Sequence, residues 1–323
     1  MVLFNLGGPD SLKAVKPFLY NLFQDPDIFQ FPGSSLIRKP LAYLIASLRA
    51  RKSRVYFEHM GGKSPITELT LRQAHALERS LGADRFKVVI AMRYWRPTTD
   101  EAILELKREG IETVILLPLY PQYSYATTRS SERHWTQRCK KLGHSFQQQI
   151  LIRNYHDHPH YIHSLVARIQ ETIERFPPEE RKGLHLLFSA HGIPLREIEQ
   201  GDPYESQIRK SVELVVQDLN NGFSHHLSYQ SRVGPLKWLE PTTVATIERL
   251  AQEGVKRVVA VPISFVSDHS ETLYELKKLY GDLAMSRGMR RYELMPALND
   301  HPLFIEALKD LIIQKIPQAE KSA

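Results

Sequence analysis

Eight short apolar runs punctuate the chain, at 2–6, 87–92, 113–119, 148–153, 184–190, 226–231, 257–265 and 290–295. Most are rich in Val, Ile and Leu and are bounded by polar, Gly or Pro positions, which predicts strands covered on both faces. Between them, apolar residues recur every three or four positions. Ile103, Leu104 and Leu106 do so in 101–109, Ile162, Leu165, Ile169 and Ile173 in 161–175, and Val244, Ile247 and Leu250 in 243–253. That is helical spacing. Strands alternating with helices predict parallel sheets with right-handed crossovers.

The strands fall into two sets of four, and the sets rhyme. VILLPLY (114–120) matches VVAVPIS (258–264), and FNLGGP (4–9) resembles FSAHGIP (188–194). The expectation is an α/β protein of two similar doubly wound domains, 1–154 and 155–301, with a ligand cleft between them. The join falls at 155–160, where Pro159 stops a strand and starts a helix. A last helix is expected from 302 to about 317, followed by a frayed tail. Residues 10–60 carry no strand period. Within them, 36–54 predicts a helix apolar on one side and basic through Arg38, Lys39, Arg49, Arg51, Lys52 and Arg54.

The most informative stretch is 258–276. It opens as a buried strand, breaks into Ser267-Asp268-His269-Ser270-Glu271, and resumes at helical spacing with Leu273, Leu276 and Tyr280. A strand that ends in titratable groups and leads into a helix is where an open α/β sheet places a ligand. Asp268 and Glu271 also satisfy the D-x-x-E form of a helix-capping box, which needs no chemistry at all. His269 is not needed by a cap.

Composition narrows the class. At 323 residues, 42% hydrophobic and 24% charged, the chain is an ordinary globular protein too long for one core. A net charge of +7 suits an anionic partner, but no RNA-binding signature or zinc-finger spacing points to nucleic acid. One cysteine, Cys139, excludes a disulfide or an all-cysteine metal site within the chain. No leader sequence and no membrane-spanning run are evident, so a cytoplasmic protein is expected, with peripheral membrane contact through the basic segment 36–54.

Several motifs fail. Gly62-Lys63-Ser64 ends like a P-loop, but the glycine required five positions earlier is Phe57. No G-x-G-x-x-G follows a strand and no G-x-S-x-G is present. His156, His158, His160 and His163 are interrupted by Pro159 and lack acidic or cysteine partners, so they read as helix-start histidines. What stands is a set of polar strand ends. Ser189-Ala190-His191-Gly192 puts a histidine at a terminus, level with the Asp268–Glu271 cluster, and Tyr229 to Pro241 ends a third strand. Arg93-Tyr94-Trp95 and Tyr120 to Tyr125 supply aromatics and an arginine from the first half. Such surroundings suit a large, flat, apolar ligand with acidic substituents.

These residues resemble the ferrochelatases, which insert ferrous iron into a porphyrin to make haem. The resemblance runs nearly end to end, through FNLGGPDS (4–11), GGKSPI (61–66), MRYWRP (92–97), LYPQYSYATTRSS (119–131), LFSAHGIP (187–194), GDPY (201–204), YQSRVGP (229–235) and VPISFVSDHSETLYEL (261–276). It implies two Rossmann-like domains, with the C-terminal helix returning to the first. It implies His191 and Glu271 as catalytic groups and candidate metal ligands, with His269 and Asp268 beside them in a polar line. Leu6, Arg93, Tyr94, Tyr123, Ser124, Trp238 and Phe265 would bind the porphyrin, expected to be protoporphyrin IX. Ferrous iron enters as substrate, no cofactor is permanently bound, and no iron–sulfur cluster is expected. Three departures from the family pattern are Lys63 and Ser270, in place of a glycine and an apolar residue, and the missing cysteine-rich extension of the animal enzymes. A non-catalytic tetrapyrrole carrier is the alternative, and a small-anion binder a more distant one.

Overall fold

The strands lie where the apolar runs predict them. The computed structural model describes residues 1–29, 35–220 and 222–316, so position 317 and the tail beyond it lie outside the described residues. Among the described residues, β1 (Val2–Asn5), β2 (Val89–Met92), β3 (Thr113–Pro118) and β4 (Gln148–Leu151) form one sheet in the order β2-β1-β3-β4. A second sheet, ordered β6-β5-β7-β8, holds β5 (His185–His191), β6 (Ser224–Gln230), β7 (Arg257–Pro262) and β8 (Arg291–Leu294). All pairings are parallel. The identical strand order turns the sequence rhyme into a repeated topology.

The chain divides into two compact units. One is Met1–Asn154 together with the chain from Leu308 onward, and the other is Tyr155–Ala307. The first core gathers around Trp135, whose ring packs on Phe4 and Phe146 at centroid distances of 5.7 and 5.6 Å. Its buried indole N–H donates to Gln149 Oε1 at 2.8 Å, so the large ring enters the interior with its polar edge satisfied. In the second unit Val258, Val259, Ala260 and Val261 on β7 are buried without exception, as expected of a strand with helices on both faces.

The basic segment departs from expectation. After α1 (Val15–Phe23), α2 runs from Ser35 to Glu58. It is apolar on two faces, not one. Ala42, Ala46, Ala50 and Phe57 pack inward with α1, because small side chains let the helices approach closely, while Ile37, Leu44, Leu48 and Val55 point outward. Leu48 is 72% exposed. Among the described residues no helix is long and apolar enough to cross a membrane.

Candidate active site

In the second unit the carboxyl ends of β5, β6 and β7 share one edge of the sheet, and His191 is the last residue of β5. Its Nδ1 lies 2.8 Å from Glu271 Oε2. Glu271 opens a π-helix, Glu271–Tyr280, which follows β7 after a short loop. Wide helical turns of this kind are rare and recur at functional sites. The imidazole is 36% exposed and the carboxylate 26%, so the pair is sheltered yet reachable. Burial pushes the His191 imidazole down, but the charge and hydrogen bond of Glu271, helped by Glu275, outweigh it and raise the pKa overall. Burial pushes Glu271 up, and His191 with His269 reverses this, holding the carboxyl down at about 2. One proton is thus shared in the sense His191–H⁺···Glu271⁻.

The expected capping box does not form. The residue preceding the π-helix is Ser270, in helical backbone geometry and without a side-chain cap. Asp268 turns elsewhere: Oδ1 accepts from Thr272 Oγ1 at 2.9 Å and from the Ala297 N–H at 3.3 Å, and Oδ2 accepts from Asn299 Nδ2 at 2.7 Å. The Asp268 N–H in turn donates to Asn299 Oδ1 at 2.9 Å. The carboxylate is buried and ties the start of the π-helix, through Thr272, to the loop after β8. A capping box does occur at Thr98 and Glu101, where both reciprocal bonds are made.

His269 is buried with its Nδ1 against the Ser267 carbonyl at 2.9 Å. A carbonyl only accepts, so Nδ1 carries the hydrogen and Nε2 is left facing Glu271 Oε2 at 3.9 Å. Phe265 stands between the two histidines, its centroid 4.8 Å from His269 and 6.3 Å from His191. Trp238 lies on the segment that folds back along Ile193–Leu195, bridging to Pro194. Gly192 is required by close approach: a Cβ there would meet the Gln230 carbonyl oxygen at 2.8 Å and the Trp238 ring at 3.3 Å.

Sequence reasoning missed the groups that hold Glu271 in place. Ser189 Oγ donates to Gln230 Oε1 at 2.9 Å, and Gln230 Nε2 reaches the Glu271 carbonyl at 3.2 Å. Glu275 accepts from Ser231 N–H at 3.0 Å, Ser231 Oγ at 2.6 Å and Tyr280 OH at 2.6 Å. Glu275 follows Glu271 by four positions, the one spacing that could have flagged it.

The remaining candidates belong to the first unit. Arg93 donates through Nη2 to Asp25 Oδ2 at 2.6 Å and through Nε to Ser130 Oγ at 2.8 Å. Tyr94 is interior, and its hydroxyl donates to the same Asp25 oxygen at 2.6 Å. Asp25, 3% exposed, is a second group the sequence did not reveal. Leu6 packs partly buried against the cluster that includes Tyr94. Ser124 is buried and bonds Thr127 at 3.0 Å, and Tyr123 meets Tyr125 edge-on at 6.3 Å. Among the described residues no three His, Cys, Asp or Glu side chains converge as a metal cage. His191 and Glu271 meet through a hydrogen bond.

Paired four-stranded parallel sheets define a chelatase-like fold, and solved structures agree. SirB from Bacillus subtilis, determined with Fe³⁺, has a TM-score of 0.56 at 10% identity over 77% of this chain and 91% of its own. A multi-domain Deinococcus radiodurans protein described as structurally similar to chelatases has a TM-score of 0.50 at 16% identity, over 76% of this chain and 50% of its own. The ferrochelatase family model matches residues 1–316. Ferrochelatases from Aquifex aeolicus and a Sulfurihydrogenibium species are 49% and 47% identical, over 98% and 97% of this chain and 99% and 97% of their own. The chain belongs to the ferrochelatase family. Its reaction is insertion of Fe²⁺ into a porphyrin, with release of two protons, to give haem.

Proposed function

We propose that His191 is the base of this reaction, that Glu271 receives its proton, and that protoporphyrin IX is the porphyrin. The hydrogen bond between His191 Nδ1 and Glu271 carries the reading. With Nδ1–H pointed at the carboxylate, the neutral ring offers its Nε2 lone pair as the free base. Glu271 raises the basicity of that nitrogen and stabilises the imidazolium formed when it takes a pyrrole proton. The ring can then pass its Nδ1 proton to Glu271, whose side chain is partly open to solvent.

His269 plays a narrower part than a relay. A relay takes a proton at one nitrogen and gives it up at the other, but Nδ1 of His269 is tied to a carbonyl. We assign its Nε2 the place facing Glu271, at 3.9 Å from Oε2. Asp268 positions the loop that carries both. Glu271 and Glu275 add negative potential, which favours the approach of a dication as substrate. From the first unit Arg93, held by Asp25 and Ser130, is assigned to the porphyrin with Leu6 and Tyr123, supported from within by Tyr94 and Ser124; from the second unit Trp238 and Phe265 are assigned to it. The single, buried cysteine supports a reaction with no iron–sulfur cluster. The relatives are named as enzymes, which leaves the carrier alternative without support.

Anaerobic incubation with Fe²⁺ or Zn²⁺ tests the reading, with insertion followed by visible absorption. Protoporphyrin IX should be metallated faster than coproporphyrin. A faster reaction with coproporphyrin would sink the choice of substrate.

The apolar outer face of α2 supports the cytoplasmic surface of an anionic membrane as its partner. Ile37, Leu44, Leu48 and Val55 lie in one exposed stripe, flanked by Arg51 and Lys52. The protein should float with vesicles containing phosphatidylglycerol, less with neutral ones, and Leu44→Glu with Leu48→Glu should abolish flotation. Equal flotation of that variant would rule the contact out.

A further inference from the structure

At His191 the second sheet loses its backbone ladder on one side. Strands β5 and β7 stay in register as far as Ser189 and Pro262. The last rung on that side is the Ile263 N–H donating to the Ser189 carbonyl at 3.2 Å. The chain then turns, and the Phe265 N–H bonds back to the Pro262 carbonyl at 3.1 Å. Gly192 donates across the other side, to the Gln230 carbonyl of β6 at 2.8 Å. Successive residues of a strand direct their backbone groups to opposite neighbours, so the N–H and C=O of His191 face the side that β7 has left. An unpaired backbone group there would cost stability and leave the last residue free to pivot.

Two hydroxyls stand in for the missing strand. The His191 N–H donates to Ser264 Oγ at 3.0 Å, and Tyr204 OH donates to the His191 carbonyl at 3.0 Å. Ser264 immediately precedes Phe265, which faces both histidines, so the bond to the His191 N–H also ties that aromatic to the strand end.

We propose that Tyr204 and Ser264 are positioning residues for the reaction, clamping both backbone groups of His191 so that its imidazole meets Glu271 and presents Nε2 at a fixed angle. The proposal rests on His191 acting as the base. Tyr204→Phe and Ser264→Ala each remove one hydroxyl and little volume. Each is expected to lower kcat about tenfold, the rate equivalent of one lost hydrogen bond, while KM for porphyrin stays within about twofold. Circular dichroism should report a folded protein in both cases. Wild-type kcat in both variants overturns the proposal, as does a rate loss matched by an equal loss of folded protein. Full turnover by His191→Ala would instead remove the reading of His191 as the base, so the two failures are separable.

Discussion

His191→Ala is expected to bind porphyrin with an affinity within about threefold of wild type and to insert iron about 10²–10⁴-fold more slowly, the usual worth of a positioned general base. The fold should survive. The imidazole is 36% exposed, so its removal opens no sealed cavity, and the backbone bonds at this position do not involve the side chain. Glu271 loses the partner that holds its carboxyl low, and burial then acts on it unopposed except by His269, so its pKa should rise. Added imidazole, able to occupy the vacated place beside Glu271, should restore part of the rate. Spectroscopic titration measures binding, and anaerobic metallation measures turnover. Turnover at the wild-type rate would show that the pyrrole protons leave by another route.

The fold was largely legible because its signals are local. The eight runs, five to nine residues long, are too short for most helices and are bounded by turn residues, and all eight lie in the two sheets. The site was legible only in part, for a physical reason. His191 and Glu271 stand at element ends, where a titratable residue breaks an apolar pattern. Asp25, Gln230, Asn299, Tyr204 and Ser264 carry no such mark, since a buried polar side chain is defined by partners remote in sequence: Asp25 and Arg93 are 68 positions apart, His191 and Ser264 are 73. The capping box misled for the same reason. D-x-x-E is a local pattern, but Asn299 and the Ala297 N–H compete for Asp268 and win, leaving Glu271 free to face His191. On α2, spacing could not say which apolar face turns inward; the close approach of α1 selects the alanines.

Glu271→Gln separates charge from geometry at this pair. The amide oxygen can still accept the His191 Nδ1–H, so the ring should keep its orientation, and no helix cap is lost because Glu271 does not make one. Loss of a negative charge from the first helical turn should cost at most about 1 kcal/mol. The amide cannot take a proton, so insertion should fall about 10²-fold. The pH dependence should move as well. In the wild type Glu271 lifts the His191 pKa above the ordinary imidazole value, so the free base, and with it kcat/KM, grows only as pH rises through that elevated value. In Glu271→Gln burial acts against the charged ring with only Glu275 opposing it, which lowers the pKa. The ascending limb should therefore shift to lower pH even as the plateau drops. A slow variant whose limb stays in place would mean that the titrating group is not His191. A limb that shifts while the plateau stays at the wild-type level would leave Glu271 tuning the base but receiving no proton from it.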